Sequence, residues 1–119
     1  MRVLITGGRS YPNRAHVYRV LDEINARDSI TELIHGACKY GGADILGEDW
    51  AKAREIDYVG RPARWVTDGK AAGFIRNQRM IDECAPDLVV AFPGGNGTAD
   101  MVRRATKANL SLIDERRYE

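Results

Sequence analysis

Residues 87–98 read Asp87-Leu88-Val89-Val90-Ala91-Phe92-Pro93-Gly94-Gly95-Asn96-Gly97-Thr98, and this stretch decides the fold class. Asp87–Phe92 holds a short, unbroken apolar run, as a strand covered on both faces requires. The run ends at a proline followed by three glycines in four positions. Beyond them Thr98–Ala108 has helical spacing. A buried strand, a glycine turn and a helix make up half of a βαβ unit.

The same alternation extends in both directions. Arg2–Thr6 is a β-rich run that stops at Gly7-Gly8, and Pro12 opens a helical pattern with Val17, Leu21 and Ile24 on one face. Glu32–His35 reads as a strand ended by Gly36. Ala43–Glu55 reads as a helix with Ile45, Trp50 and Ala53 facing inward. Asp57–Val59 is a third strand, followed by a polar connection through Trp65 and Gly69. A helix around Phe74–Cys84 leads into the stretch quoted above. Leu110–Ile113 is a last strand, and the polar tail Asp114–Glu119 is expected to fray. Strands alternating with helices argue for a parallel sheet with helices on both faces. The expected fold is therefore α/β: a Rossmann-like three-layer domain over residues 1–119 with a five-stranded, mainly parallel sheet.

Composition narrows the function. The chain has 119 residues, 44% hydrophobic and 29% charged, which suits one globular domain with a sizeable core. No apolar run approaches the ~20 residues of a membrane helix. The N-terminus reaches glycine before a signal peptide's apolar stretch could form. Cys38 and Cys84 lack metal-ligand spacing. These features lead us to expect a cytoplasmic protein with two reduced thiols, no metal, no cofactor and no membrane partner. The net charge of +1 argues against a polynucleotide partner. Fourteen of the eighteen basic residues are Arg, whose planar fork suits phosphate and carboxylate. A small anionic ligand fits this balance better than a long one.

Eight of the twelve glycines (Gly7, Gly8, Gly36, Gly41, Gly42, Gly94, Gly95 and Gly97) cluster just past the C-terminal ends of three expected strands. Ligands of open α/β sheets bind outside those ends, where strand order reverses. With the order 3-2-1-4-5, the loops Thr6-Gly7-Gly8-Arg9-Ser10 and Pro93–Thr98 flank that point, and Gly36–Asp44 lies beside them. Glycine lets the backbone approach a ligand, and successive N–H groups ahead of a helix start form an anion cradle. Tight turns alone also use glycine, but three such loops on one edge favour the cradle. Neither glycine loop matches the Walker phosphate loop or the dinucleotide fingerprint. Arg76, Asn77 and Met80 share a helix face. With Met80 inward, Arg76 and Asn77 approach the sheet edge; as surface charges, Arg76 and Arg79 would simply be solvated. His35 reads as a hydrogen-bonded structural residue or a catalyst, and His16 has no assigned role. Asp44 caps a helix or receives ribose hydroxyls. Asp100 sits in a first helical turn, where the dipole favours a carboxylate in any case. No neighbour marks Cys38 as activated.

Ile5–Tyr11, His35-Gly36-Ala37, Gly42-Ala43-Asp44, Trp50-Ala51, Ala72-Gly73, Arg76-Asn77-Gln78-Arg79-Met80 and Phe92–Thr98 occur in an order that resembles the YspA/YpsA-related branch of the SLOG superfamily. The resemblance spans nearly the whole chain and implies a Rossmannoid fold that senses or processes nucleotide-derived ligands. It also implies self-association into a homo-oligomer, in which a partner subunit could complete the site. Related LOG phosphoribohydrolases carry Arg-Lys-x-x-Met and Pro-Gly-Gly-x-Gly-Thr-x-x-Glu. Here Arg76 stands at their arginine, Asn77 replaces the lysine and Met101 replaces the glutamate. Asp100 lies one residue away, roughly 100° around the helix.

The first functional expectation is binding of a phosphorylated nucleoside-type ligand, either a nucleoside monophosphate or an ADP-ribose-like molecule. The expected contacts are Gly7, Gly8, Arg9, Ser10, Gly36, Asp44, Arg76, Asn77, Pro93, Gly94, Gly95, Asn96, Gly97 and Thr98, and Trp65 could stack on a base. The alternative is an N-glycoside hydrolase releasing a base from a nucleoside 5′-monophosphate, with Arg76 and Asp100 (or Asp44) as catalytic candidates. A nucleic-acid module is the least supported of the three.

Overall fold

The structure, a computed structural model, describes residues 1–117. β1 (Arg2–Thr6), β2 (Glu32–His35), β3 (Asp57–Gly60), β4 (Leu88–Ala91) and β5 (Ser111–Asp114) form one sheet in the order β3-β2-β1-β4-β5. Every adjacent pair is parallel, with Val3 opposite Leu33 on one side and Leu88 on the other. The chain therefore leaves β1 towards β2 and returns across it to β4. This places the reversal of strand order at the C-terminal ends of β1 and β4.

The inner strands are apolar throughout because both faces are covered. Val3, Ile5, Leu33, Val90 and Phe92 pack under α1 (Arg14–Arg27) and α2 (Ala43–Ala53), together with Val17, Leu21, Ile24 and Trp50. Leu4, Ile34 and Val89 point to the other face. There they meet Met80, Ile81 and Cys84 of α4 (Ala72–Cys84) and Met101 and Ala105 of α5 (Asn96–Lys107). Among the described residues, no helix is long and apolar enough to cross a membrane.

Several boundaries differ from the sequence reading for local reasons. α1 starts at Arg14 because Asn13 caps it, its side chain accepting from the His16 N–H at 3.0 Å. The inner face of α2 is Ala43, Leu46, Gly47, Trp50 and Ala51, while Ile45 is only half-buried and Ala53 is exposed. Gly47 belongs to that face because α2 crosses the sheet closely there. A Cβ at this position would lie 2.9 Å from Ile5 Cδ1. α2 ends at Ala53, before the left-handed turn at Glu55 (φ +56°). The connection through Trp65 folds into a short helix, α3 (Trp65–Asp68), and a 3₁₀ turn at Gly69–Ala71. α5 takes in Asn96 and Gly97, two residues earlier than expected. Asp114 is not part of a frayed tail but pairs with Ala91 in the sheet, and the Glu115 N–H donates to the Ala91 carbonyl at 2.8 Å. The last two residues of the expected tail lie outside the described residues.

A clasp holds α1 to α2. The Trp50 indole, fully buried, donates to Asp22 Oδ1 at 2.8 Å, and Arg54 grips the same carboxylate through two nitrogens at 2.9 and 2.8 Å. Removing a large buried aromatic leaves a cavity costing about 3–5 kcal/mol. Trp50→Ala should lower unfolding stability in urea by about that amount. A loss under ~1 kcal/mol would show that the α1–α2 face repacks freely.

Candidate functional site

The candidate site is the C-terminal edge of the sheet, where three loops meet. After β1 the chain turns through Gly7-Gly8. The Gly8 N–H donates to the Pro93 carbonyl at 2.8 Å, and the Gly8 carbonyl accepts from Ala43 (3.1 Å) and Tyr11 (3.2 Å). The loops after β1, β2 and β4 are thereby joined through backbone groups alone. Space at the junction is small. Gly42, at φ +73°, starts α2, and a Cβ there would overlap the Gly8 carbonyl oxygen. A Cβ on Gly94 would collide with the Thr98 hydroxyl and lie 2.7 Å from the Gly8 nitrogen. Gly41, Gly95 and Gly97, by contrast, face open space.

Two helices begin at this edge. Gly42 and Gly95 are their N-caps, and no side chain caps either helix. The first-turn N–H groups therefore lack the usual hydroxyl or carboxylate partner. Gly94, Gly95, Asn96 and Gly97 are exposed, and Thr98 is buried behind them. Asp44 is in the first turn of α2, but its carboxylate does not cap that helix. It turns back to accept from the Cys38 N–H at 3.2 Å.

Arg76 forms the floor. Its Nη1 donates to the Gly36 carbonyl and to the Arg61 carbonyl (3.3 Å), and its Nε donates to Asn77 Oδ1 (3.2 Å). Among the described residues its Nη2 makes no hydrogen bond and the guanidinium forms no ion pair. Burial pulls its pKa below the ordinary arginine value, against the opposing influence of Asp44 and Cys38. Asp44 faces it across Gly36: a Cβ there would lie 2.8 Å from Arg76 Cζ and 3.1 Å from Asp44 Oδ2. Burial is the strongest influence on Asp44 and pushes its carboxyl above 3.8, outweighing His35, Arg76 and the N–H groups of Cys38 and Gly36.

Several other residues singled out from sequence are engaged in contacts within the fold. His35 Nδ1 accepts from the Ala37 N–H at 2.9 Å, so Nε2 carries the proton and donates to Glu48 at 2.9 Å. His16 lies under the β4 edge, edge-on to Phe92 and 2.9 Å from Glu115. Asn77 Nδ2 bridges the Gly97 carbonyl and Asp100 Oδ2, both at 3.0 Å. Asp100 is buried and also receives Arg103 (2.6 Å) and Arg104 (2.7 Å). Met101, at the glutamate position of the related hydrolases, is fully buried in the second core. Trp65 is 59% exposed, and its ring lies along the start of α4 against Gly73.

Sequence reasoning passed over Tyr40, 65% exposed on the loop after β2. Arg9 and Lys39 both approach its ring, at 5.6 and 5.1 Å from the centroid. The only sequence signal was a Lys-Tyr pair inside a loop bounded by glycines. A separate groove of about 420 Å³ runs between α4 and α5, lined by Ile75, Gln78, Arg79, Asp82, Glu83 and Arg104.

A model of the YspA, cpYpsA-related SLOG family matches residues 1–67, more than half of the chain. The match covers the first two glycine loops, Arg9, Tyr40 and Asp44. No curated protein matches the chain.

The raised Asp44 pKa has a defined consequence for stability. The folded state holds this proton more tightly than the unfolded chain, so the group's contribution is greatest below pH 3.8 and declines as pH rises through its folded value. Asp44→Asn should remove that decline. Thermal melts from acid to neutral pH should show the variant gaining on the parent as pH rises. A difference that stays constant with pH would assign the carboxyl an ordinary titration.

Proposed function

This chain belongs to the YspA, cpYpsA-related SLOG family, a membership that points to nucleotide-related binding or processing, and on that premise we propose that the glycine edge binds a small phosphorylated nucleoside-type ligand. One observation carries the reading: the Arg76 guanidinium is largely withdrawn from water beside Gly36, with its Nη2 unused and no carboxylate in ion-pair contact. Among the described residues this desolvated cation is hydrogen-bonded to carbonyl oxygens only, and Asp44, outside ion-pair contact, offsets its burial only in part. A phosphate supplies the ion-pair partner. The uncapped first turn of α5 offers N–H groups to the same phosphate. Gly7, Gly8, Gly36 and Pro93–Thr98 shape the backbone, and in this reading Asp44 and Ser10 receive ribose hydroxyls. Asn77 is a positioning residue, tying Gly97 to Asp100.

A second reading, hydrolysis of the N-glycosidic bond, is favoured by one observation, the buried Asp44 carboxyl facing Arg76. Water would add across the C1′–N bond, giving free base and a ribose 5-phosphate. Asp100 suits this role less well, because three donors already occupy its carboxylate.

Self-association belongs to the same proposal. Trp65, Val66, Phe74 and Ile75 are exposed on α3 and the first turn of α4, and Ile75 lines the α4–α5 groove. That groove carries Arg79 and Arg104 together with Asp82 and Glu83, a self-complementary pattern suited to a second copy across a two-fold axis.

Two measurements test these readings. In a thermal-shift and calorimetry panel, phosphorylated nucleosides should stabilise the protein and free nucleosides should not. Arg76→Ala should weaken the phosphorylated ligands by about tenfold or more. Equal weakening of free nucleosides would remove Arg76 from phosphate binding, and base release lost in Asp44→Asn would establish the hydrolase. For self-association, Ile75→Asp should shift a dimer to monomer in light scattering; a monomeric parent would rule out the dimer.

A further inference from the structure

The rim of the same edge holds a cluster that phosphate binding at Arg76 leaves unused. Tyr40 projects from the loop between β2 and α2 and gathers two cations, Arg9 from the loop after β1 and its own neighbour Lys39. Among the described residues neither cation forms an ion pair. Several guanidinium groups elsewhere are matched with carboxylates, among them Arg14 with Asp49, Arg54 with Asp22, Arg61 with Glu83 and Arg116 with Asp114, whereas among the described residues Arg27 and Arg64, like Arg9, are not. Two like charges drawn to one ring repel each other, and the ring's negative face offsets only part of that repulsion. An anion seated between them would turn the arrangement attractive.

The loop from Gly36 to Gly42 connects this cluster to the floor. Gly36 at its start lies against Arg76, and Gly42 at its end packs on Arg9, where an added Cβ would come 2.7 Å from the Arg9 Cα. One loop is thus lined by an unpaired guanidinium at its base and two unpaired cations at its rim. Resting on the nucleotide reading above, we infer that Arg9, Lys39 and Tyr40 form a second anion subsite, and that the ligand is a nucleoside diphosphate or a pyrophosphate-linked nucleotide rather than a monophosphate. One phosphate meets Arg76 and the start of α5; the next meets Arg9 and Lys39. Tyr40 is the positioning residue, holding the two cations on adjoining loops at one point. Its exposure leaves the anion free to enter from solvent.

Calorimetry with the 5′-mono- and diphosphates of adenosine, guanosine, cytidine and uridine, and with inorganic pyrophosphate, tests this directly. At least one diphosphate should bind about tenfold tighter than its monophosphate, since each added charged hydrogen bond contributes on that scale. The Arg9→Ala/Lys39→Ala double variant should erase this preference by weakening diphosphates about tenfold more than monophosphates. Tyr40→Leu should reduce the preference, and Tyr40→Phe, which keeps the ring, should retain it. Equal affinity for mono- and diphosphates, or equal weakening of both in the double variant, overturns the second subsite and leaves the nucleotide site standing. Pyrophosphate binding as tightly as any diphosphate overturns the nucleotide class. No binding by any nucleotide removes the underlying reading and this inference with it.

Discussion

The peptide of Gly8 is the point on which the loop edge depends. Its N–H reaches the loop after β4 and its carbonyl reaches the start of α2. A single backbone unit thereby sets the spacing of the three loops around the switch point. Backbone-to-backbone fastening of this kind requires close approach, and the absence of side chains at Gly8, Gly42 and Gly94 permits it. Phe92, fully buried and stacked on Tyr11 at 5.7 Å, fills the space below the junction. The loops therefore rest on packed core, which keeps the orientation of their N–H groups from drifting.

Charge on this scaffold is distributed unevenly. Asp100, withdrawn from water, is matched by Asn77, Arg103 and Arg104, so its burial is compensated and α4 is fastened to α5. Arg76 and Asp44 are also withdrawn but lie outside ion-pair contact with each other. Arg76 is held by two backbone carbonyls and Asn77 Oδ1, Asp44 by backbone N–H groups, and burial favours the neutral form of each. The cation and the carboxyl lie close on either side of Gly36, where an added Cβ would clash with Arg76. Met101, the residue after Asp100, faces the second core.

Much of this arrangement was legible in the residues. Apolar runs such as Leu88–Phe92 fit only strands buried on both faces, and the glycine clusters mark the loops after β1, β2 and β4 that meet at one end of the sheet. The Arg76–Met80 spacing put Met80 in the core and Arg76 over the loops, as found. The inner face of α2 was misread because Gly47 counts against a helix locally, whereas here it is what lets the helix lie close over Ile5. The polar end of the chain read as fraying, yet edge pairing with Ala91 orders Asp114 and Glu115. Such pairing depends on what lies alongside, which composition does not record.

The sequence by itself determined the α/β class, the parallel order and the edge at which the loops gather, because periodicity and glycine placement are local properties that propagate through the handedness of βαβ crossovers. Only the tertiary structure decided which charges are matched. Asp100 and Arg76 looked alike as candidates in the sequence, both polar and both near a glycine loop. Their difference arises from neighbours 23 to 40 positions away along the chain: Asn77 beside Asp100, and the Gly36 carbonyl beside Arg76. The meeting of Arg9 with Tyr40 is of the same kind. It exists because two loops converge at one edge, and pairwise distances between loops are a property of the folded chain.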